Sequence, residues 1–155
     1  QKQNFRITDP GGFSLAAGFT VFTTGALFGL FVDGADTRTP AHYHGVIGGI
    51  NLVFVGLFYA WLLPLLGRTV THGKLVAWQI GLYASGQWLF IVGMFVAGGM
   101  GASRKVMGAG IDVDTVSALA ATGTRDLGGG LAIIGGVMFI LIALKALFRQ
   151  ADPVS

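Results

Sequence analysis

The residues best suited to chemistry are two of the chain's three histidines, His42 and His44, with Tyr43 between them. There is no cysteine, so disulfides, thiolate metal sites and thiol nucleophiles are excluded together. On an α-helix, positions two apart are rotated by about 200°, so the two imidazoles leave from nearly opposite faces. Such a pair does not easily grip one metal ion from both rings. It can serve two separate centres, one on each side of the same helix. Imidazole is a natural axial ligand for haem iron. Gly45, Gly48, Gly49 and Gly56 would leave room for flat macrocycles against the helix backbone. On the residues alone a second reading stays open, in which both histidines stand at a helix mouth and meet headgroups or water.

The element that must position these rings is apolar. Hydrophobic residues make up 53% of the 155-residue chain and charged residues 11%, where a soluble domain carries about 25% charged. There are 26 glycines and no glutamate, and the mean hydropathy is +0.71. The apolar residues fall in four blocks, roughly 13–32, 42–66, 75–97 and 127–147. A helix of about 20 residues, rising about 1.5 Å per residue, crosses a hydrocarbon layer of about 30 Å. Barrel strands are about half that length and alternate in polarity. A soluble enzyme, a nucleic-acid-binding domain and a disordered linker are therefore excluded. The expectation is an all-α membrane protein, with residues 1–155 forming a single domain of four transmembrane helices in a lipid bilayer.

Local signals punctuate the blocks. Asp9-Pro10-Gly11-Gly12 releases the first helix, where Ser14 could cap or line the start, and Gly25-x-x-x-Gly29 lets a neighbour approach closely. Residues 33–36 form a polar turn, and Pro40 suits the first turn of the second helix. Residues 98–110 are glycine-rich and basic, residues 113–121 suggest a short amphipathic helix, and Gly128-Gly129-Gly130 suggests the start of the fourth span. The net charge is +3, yet the basic residues are scattered and read as topology markers, with no nucleic-acid partner. Six lie on the side of the two termini and four on the other, which favours both termini inside a plasma or inner membrane.

The remaining polar residues invite plain readings. Asn51, seven residues after His44, suits interhelical hydrogen bonding; Gln79, Tyr83 and Gln87 suit packing or water bridging. His72 reads as a solvated or headgroup residue, and Trp61, Trp78 and Trp88 as interfacial anchors or packing residues. Asp112 and Asp114 read as part of a solvated loop.

The stretch Pro40-Ala41-His42-Tyr43-His44-Gly45, followed by an apolar helix ending in Phe58-Tyr59-Ala60-Trp61-Leu62-Leu63-Pro64, resembles the tenth helix of subunit I of the haem–copper oxygen reductases, the cytochrome c oxidase family. Residues 20–29 resemble that family's ninth helix, and residues 98–105 the loop after its eleventh. The resemblance thus covers the last four of twelve helices. It implies that His42 is the proximal, catalytic-site ligand of a high-spin haem iron and that His44 is one axial ligand of a low-spin haem iron. Tyr43 would then lie between the two haems, and Arg104 and Lys105 would neutralise haem propionates. Lysine there offers a point charge in place of a bidentate fork.

The resemblance also implies what this chain must borrow. The copper ligands and the second low-spin ligand belong to the first eight helices, so the expectation is a partner chain carrying them, with copper in the complex but not on this chain. Cytochrome c, a small copper protein or a quinol would donate electrons, and the complex would reduce oxygen, or nitric oxide within the broader superfamily. The family's His-Asp pair ahead of the tenth helix falls on Gly34 and Ala35, with Asp33 and Asp36 close by. Two rival readings remain: a homo-oligomeric four-helix b-type electron-transfer cytochrome, and a haemless scaffold in a respiratory assembly.

Overall fold

The computed structural model describes residues 9–32, 34–70, 73–103 and 115–148. These form four helices long and apolar enough to cross a membrane, as the apolar blocks predict. Helix α1 (Pro10–Phe28) tightens into a 3₁₀ turn, Gly29–Phe31. Helix α2 (Arg38–Leu57) runs into a π-helical turn, Phe58–Leu62, and a last short piece, Leu63–Leu65. Helices α3 (Gly73–Gly99) and α4 (Val116–Phe148) complete the set. The order is up-down-up-down. The starts of α1 and α3 and the ends of α2 and α4 share one face, here the terminal face.

Two boundaries differ from the sequence expectation. Helix α2 begins at Arg38, one turn before His42, so the histidines stand inside the helix rather than at its mouth. Pro40 is its third residue, within the first turn, where the missing N–H has no partner to lose. The separate helix expected near 113–121 and the start expected at Gly128 also give way: α4 is continuous from Val116. Its early threonines fold their hydroxyls back onto the chain, Thr124 Oγ1 donating to the Ala120 carbonyl at 2.8 Å, so polarity does not end the helix. Gly128 serves a different purpose. A Cβ there would lie 2.3 Å from the Phe90 backbone nitrogen, so this glycine seats α4 on α3.

Small residues make the two closest seams. Gly25 of α1 meets Gly45 of α2 so tightly that a Cβ on Gly45 would lie 2.5 Å from the Gly25 Cα. Gly86 and Gly93 of α3 face Ala132 and Arg125 of α4 in the same manner, with hypothetical Cβ distances of 2.3 and 2.4 Å to backbone nitrogens. Lipid chains are as apolar as leucine, so close van der Waals approach, more than hydrophobic burial, holds such seams. Helix α3 packs on all three others, whereas α4 packs chiefly on α3. Leu52, Leu63, Ile80 and Ile91 are fully buried at the centre, while Phe19, Leu30 and Ile133 point outward and are more than two-thirds exposed. An outer surface of this kind suits hydrocarbon, and a helical span pairs its interior backbone polar groups within itself.

Candidate functional site

The first turns of α2 carry the two imidazoles, and the structure sends them to different neighbours. His42 turns to α1, where its Nδ1 lies 2.9 Å from the Gly25 carbonyl oxygen. A carbonyl only accepts, so Nδ1 carries the proton and Nε2 is left as the basic nitrogen, the state in which imidazole coordinates a metal. Gly29 makes room for this ring: a Cβ there would stand 2.8 Å from His42 Cε1 and Nδ1. The pair Gly25 and Gly29 therefore admits α2 at one position and seats its histidine at the other. His44 turns to α3. Its ring meets the Phe90 ring edge-on, with centroids 5.2 Å apart, and lies 4.9 Å from the Tyr43 ring. Tyr43 itself is exposed.

The Gly29 contact gives a direct prediction. Gly29→Ala should push the His42 ring out of its seat and break the Nδ1–H···O bond, while His44 stays in place. Nitrogen NMR of the imidazoles would show His42 losing its Nδ1–H tautomer preference. An unchanged His42 signal would mean that Gly29 does not seat the ring.

The opposite face holds the start of α2 rigidly. The Thr37 backbone N–H donates to the Ala102 carbonyl at 3.0 Å, and its hydroxyl donates to the Met94 carbonyl at 2.7 Å. Asp36 pairs across to Ser103 and binds Arg38 through two guanidinium nitrogens, Nη2 at 2.6 Å and Nε at 2.8 Å. Arg38 lies one turn before His42 on the same helical face. In the sequence it reads only as a topology marker. The available signal was the Asp-x-Arg triplet four residues ahead of the first histidine, although its pairing with the end of α3 is visible only in the fold. Arg104 and Lys105, like Asp33, His72, Asp112 and Asp114, lie outside the described residues.

Hydrogen bonds from Arg38 hold the Asp36 carboxyl below its ordinary value of 3.8. A lowered folded value means that the pair's contribution is whole above the unfolded value and is lost as pH falls through the folded one. The clamp should therefore loosen on acidification below about pH 4. Hydrogen exchange at the Thr37 amide, followed with pH, checks this, and Asp36→Asn should remove the acid step.

The polar stripe on α3 packs as expected. Gln79 is fully buried, accepts from the Tyr59 hydroxyl at 3.2 Å and donates to the Gly135 carbonyl at 3.1 Å. Gln87 donates to the Tyr83 hydroxyl at 3.3 Å, while its buried Oε1 has no partner among the described residues. Asn51 corrects the expectation of an interhelical hydrogen bond. It is exposed and lines a trough of about 620 Å³ between α2 and α4, floored by Gln79 and Tyr83 of α3. The trough lies on the His44 side of α2, since His44, Asn51 and Phe58 follow at intervals of seven. Among the described residues no group of three His, Cys, Asp or Glu side chains comes together. Any metal held by these histidines would take the rest of its coordination from elsewhere, as iron does from a macrocycle.

No protein-family model matches the chain. It is similar to an uncharacterized protein of Rickettsia prowazekii (strain Madrid E), 31% identical over 144 residues, which covers 86% of this chain and 28% of the relative. A stretch of 48 residues is 40% identical to an uncharacterized protein of Aquifex aeolicus (strain VF5), covering 31% of this chain and 12% of that relative. The chain thus spans less than a third of the length of the curated relatives it matches.

Proposed function

We propose that this four-helix unit is the haem-ligating part of a terminal oxidase, holding a high-spin haem on His42 and a low-spin haem on His44. One observation carries the reading: the imidazoles leave α2 toward different helices, and the one on the α1 side has its Nδ1 proton engaged and Nε2 left basic. Metal-bound histidines characteristically donate their second nitrogen to a backbone carbonyl or a carboxylate, which fixes tautomer and ring angle. The Gly25 carbonyl would do this for His42. His44 would be steered by Phe90 and Tyr43, and the trough below it has the size and mostly apolar lining of a cofactor cleft.

Haem iron in such a pair would supply one-electron transfer at one centre and oxygen or nitric oxide binding at the other. The protein's share is positional. Helix α2 sets the separation of the two imidazoles, and the clamp at Asp36, Thr37 and Arg38 fixes the helix's end. Arg104 and Lys105, in the resemblance, meet propionates. A six-coordinate iron on His44 needs a second strong ligand, and the other described histidine, His42, is turned to α1. That ligand and the copper site would come from the partner chain carrying the other helices.

The test is purification of the tagged chain with its companions from native membranes, followed by a pyridine haemochrome assay and oxygen uptake. Two haems per chain, a copper-bearing companion and oxygen consumption would support the proposal. One haem shared between copies of this chain, without oxygen consumption, would replace it with the electron-transfer cytochrome. Absence of haem would leave the scaffold.

A further inference from the structure

On the outer flank of α3, beside the start of α1, lies a groove of about 460 Å³. Its α3 lining recurs at intervals of three and four residues from Lys74 to Ser85, so it follows one face of the helix. That interval, at about 1.5 Å per residue, is about 16 Å long, half of a hydrocarbon layer of about 30 Å. Ser85 stands near the midpoint of α3, so the groove serves one leaflet and stops there. Phe13 of α1 forms the other wall. Gly81 leaves the floor bare: a Cβ there would meet nothing nearer than the tip of the Phe13 ring, at 4.0 Å. At the deep end the Ser85 hydroxyl is spent on its own helix, donating to the Gly81 carbonyl at 2.7 Å.

The groove changes character along its length. At the terminal face it starts with Lys74, the one charged residue on its lining among those described. This side chain is exposed and pairs with no described carboxylate. One turn deeper stands Trp78, 69% exposed, of a type at home where headgroups meet hydrocarbon. Its indole N–H suits an ester oxygen there. Below it the lining is small and apolar as far as Ser85. A cation, an indole and then an apolar channel repeat in order the headgroup, ester and acyl chain of a phospholipid. A docked transmembrane helix would need a seam along the whole span, and this one ends half-way. One cation with no acid beside it matches a net anion. A zwitterionic headgroup would bring its own positive charge to a wall that offers it no partner.

We propose that this groove seats an anionic glycerophospholipid of the leaflet at the terminal face, its phosphate on Lys74 and one acyl chain over Gly81. The second chain stays in the bilayer beside Trp78. The site does not involve His42 or His44, and it stands whether or not the chain holds haem.

The experiment uses the purified, delipidated full chain and native mass spectrometry with three added phospholipids of identical acyl chains, carrying glycerol, ethanolamine or choline headgroups. The anionic phosphoglycerol lipid should be retained at the lowest concentration. Lys74→Gln should weaken it about fivefold and leave the choline lipid unchanged, as expected of one lysine at a membrane surface. Lys145→Gln, which removes another exposed cation from the terminal face, should leave the preference intact. Gly81→Leu should weaken all three lipids alike, because it fills the floor of the groove without meeting backbone. Soluble glycerophosphate, which lacks chains, should not displace the bound lipid at comparable concentration. A photoreactive side chain at position 77, in native membranes, should label lipid. Equal retention of the three lipids, a Lys74→Gln variant with unaltered preference, or loss of the preference in Lys145→Gln would overturn the assignment. So would an unchanged affinity in Gly81→Leu, displacement by glycerophosphate, or labelling of a protein from position 77.

Discussion

His44→Ala in the assembled complex is expected to abolish the low-spin haem absorbance, while His42→Ala spares it and abolishes ligand binding at the high-spin centre. The expectation follows from where the rings go: His44 against Phe90 of α3, His42 against Gly25 and Gly29 of α1. An axial nitrogen is a covalent tie to iron, and alanine offers nothing in its place, so each loss should be complete at its own centre. Under the proposed assignment turnover should fall to background in both variants, because electrons would pass one centre to reach the other. Visible spectra of the oxidised, reduced and carbon-monoxide-bound forms separate the two cases. Identical spectra from the two variants would refute the assignment of one ring to each haem. Retention of both bands in both variants would remove haem from α2 altogether.

Gly45→Leu is expected to prevent the chain from accumulating in the membrane. The first side-chain carbon alone would meet the Gly25 Cα at 2.5 Å, and behind it lies backbone that cannot rotate away. Overpacking of a well-filled core costs about 1–3 kcal/mol where side chains can shift. Here two helix backbones must separate, so the upper end of that range or more applies. Gly130→Leu is the matched control, because a Cβ at Gly130 meets nothing within 4 Å. Quantitative immunoblotting of membranes, with a thermal aggregation assay of the detergent-solubilised protein, compares them. Equal abundance and melting of the two variants would show that the α1–α2 seam is not a packing constraint.

The spans were legible because the thickness of a hydrocarbon layer sets a length that composition alone can reveal. The divergence of His42 and His44 was legible too, because it depends only on the angle between helical positions. What escaped depends on partners far along the chain. Gly128 looked like a helix start because glycine is a poor helix former; only the position of Phe90 explains why it is tolerated in mid-helix. The Asp36 and Arg38 pair could be read as a solvated turn until Ala102 and Ser103 came alongside. The π-helical turn at Phe58–Leu62 left no compositional mark, although Pro64 follows it closely. A proline that cannot donate and crowds the carbonyl four residues back favours a widened turn just ahead of it.

The distribution of glycines also divides the bundle into two hairpins. The seam between α1 and α2 and the seam between α3 and α4 are closed by backbone against backbone, within pairs adjacent in the chain. Between these two hairpins the contacts are made mostly by larger side chains such as Leu52, Ile80 and Ile91, with one backbone approach where Gly98 meets Arg38. Each hairpin therefore has a closed seam of its own, independent of the other. The seat of His42, built from Gly25 and Gly29, is complete once the first hairpin closes. The surroundings of His44 need Phe90, which arrives with the second. The two imidazoles, two residues apart on one helix, thus depend on different hairpins for their surroundings.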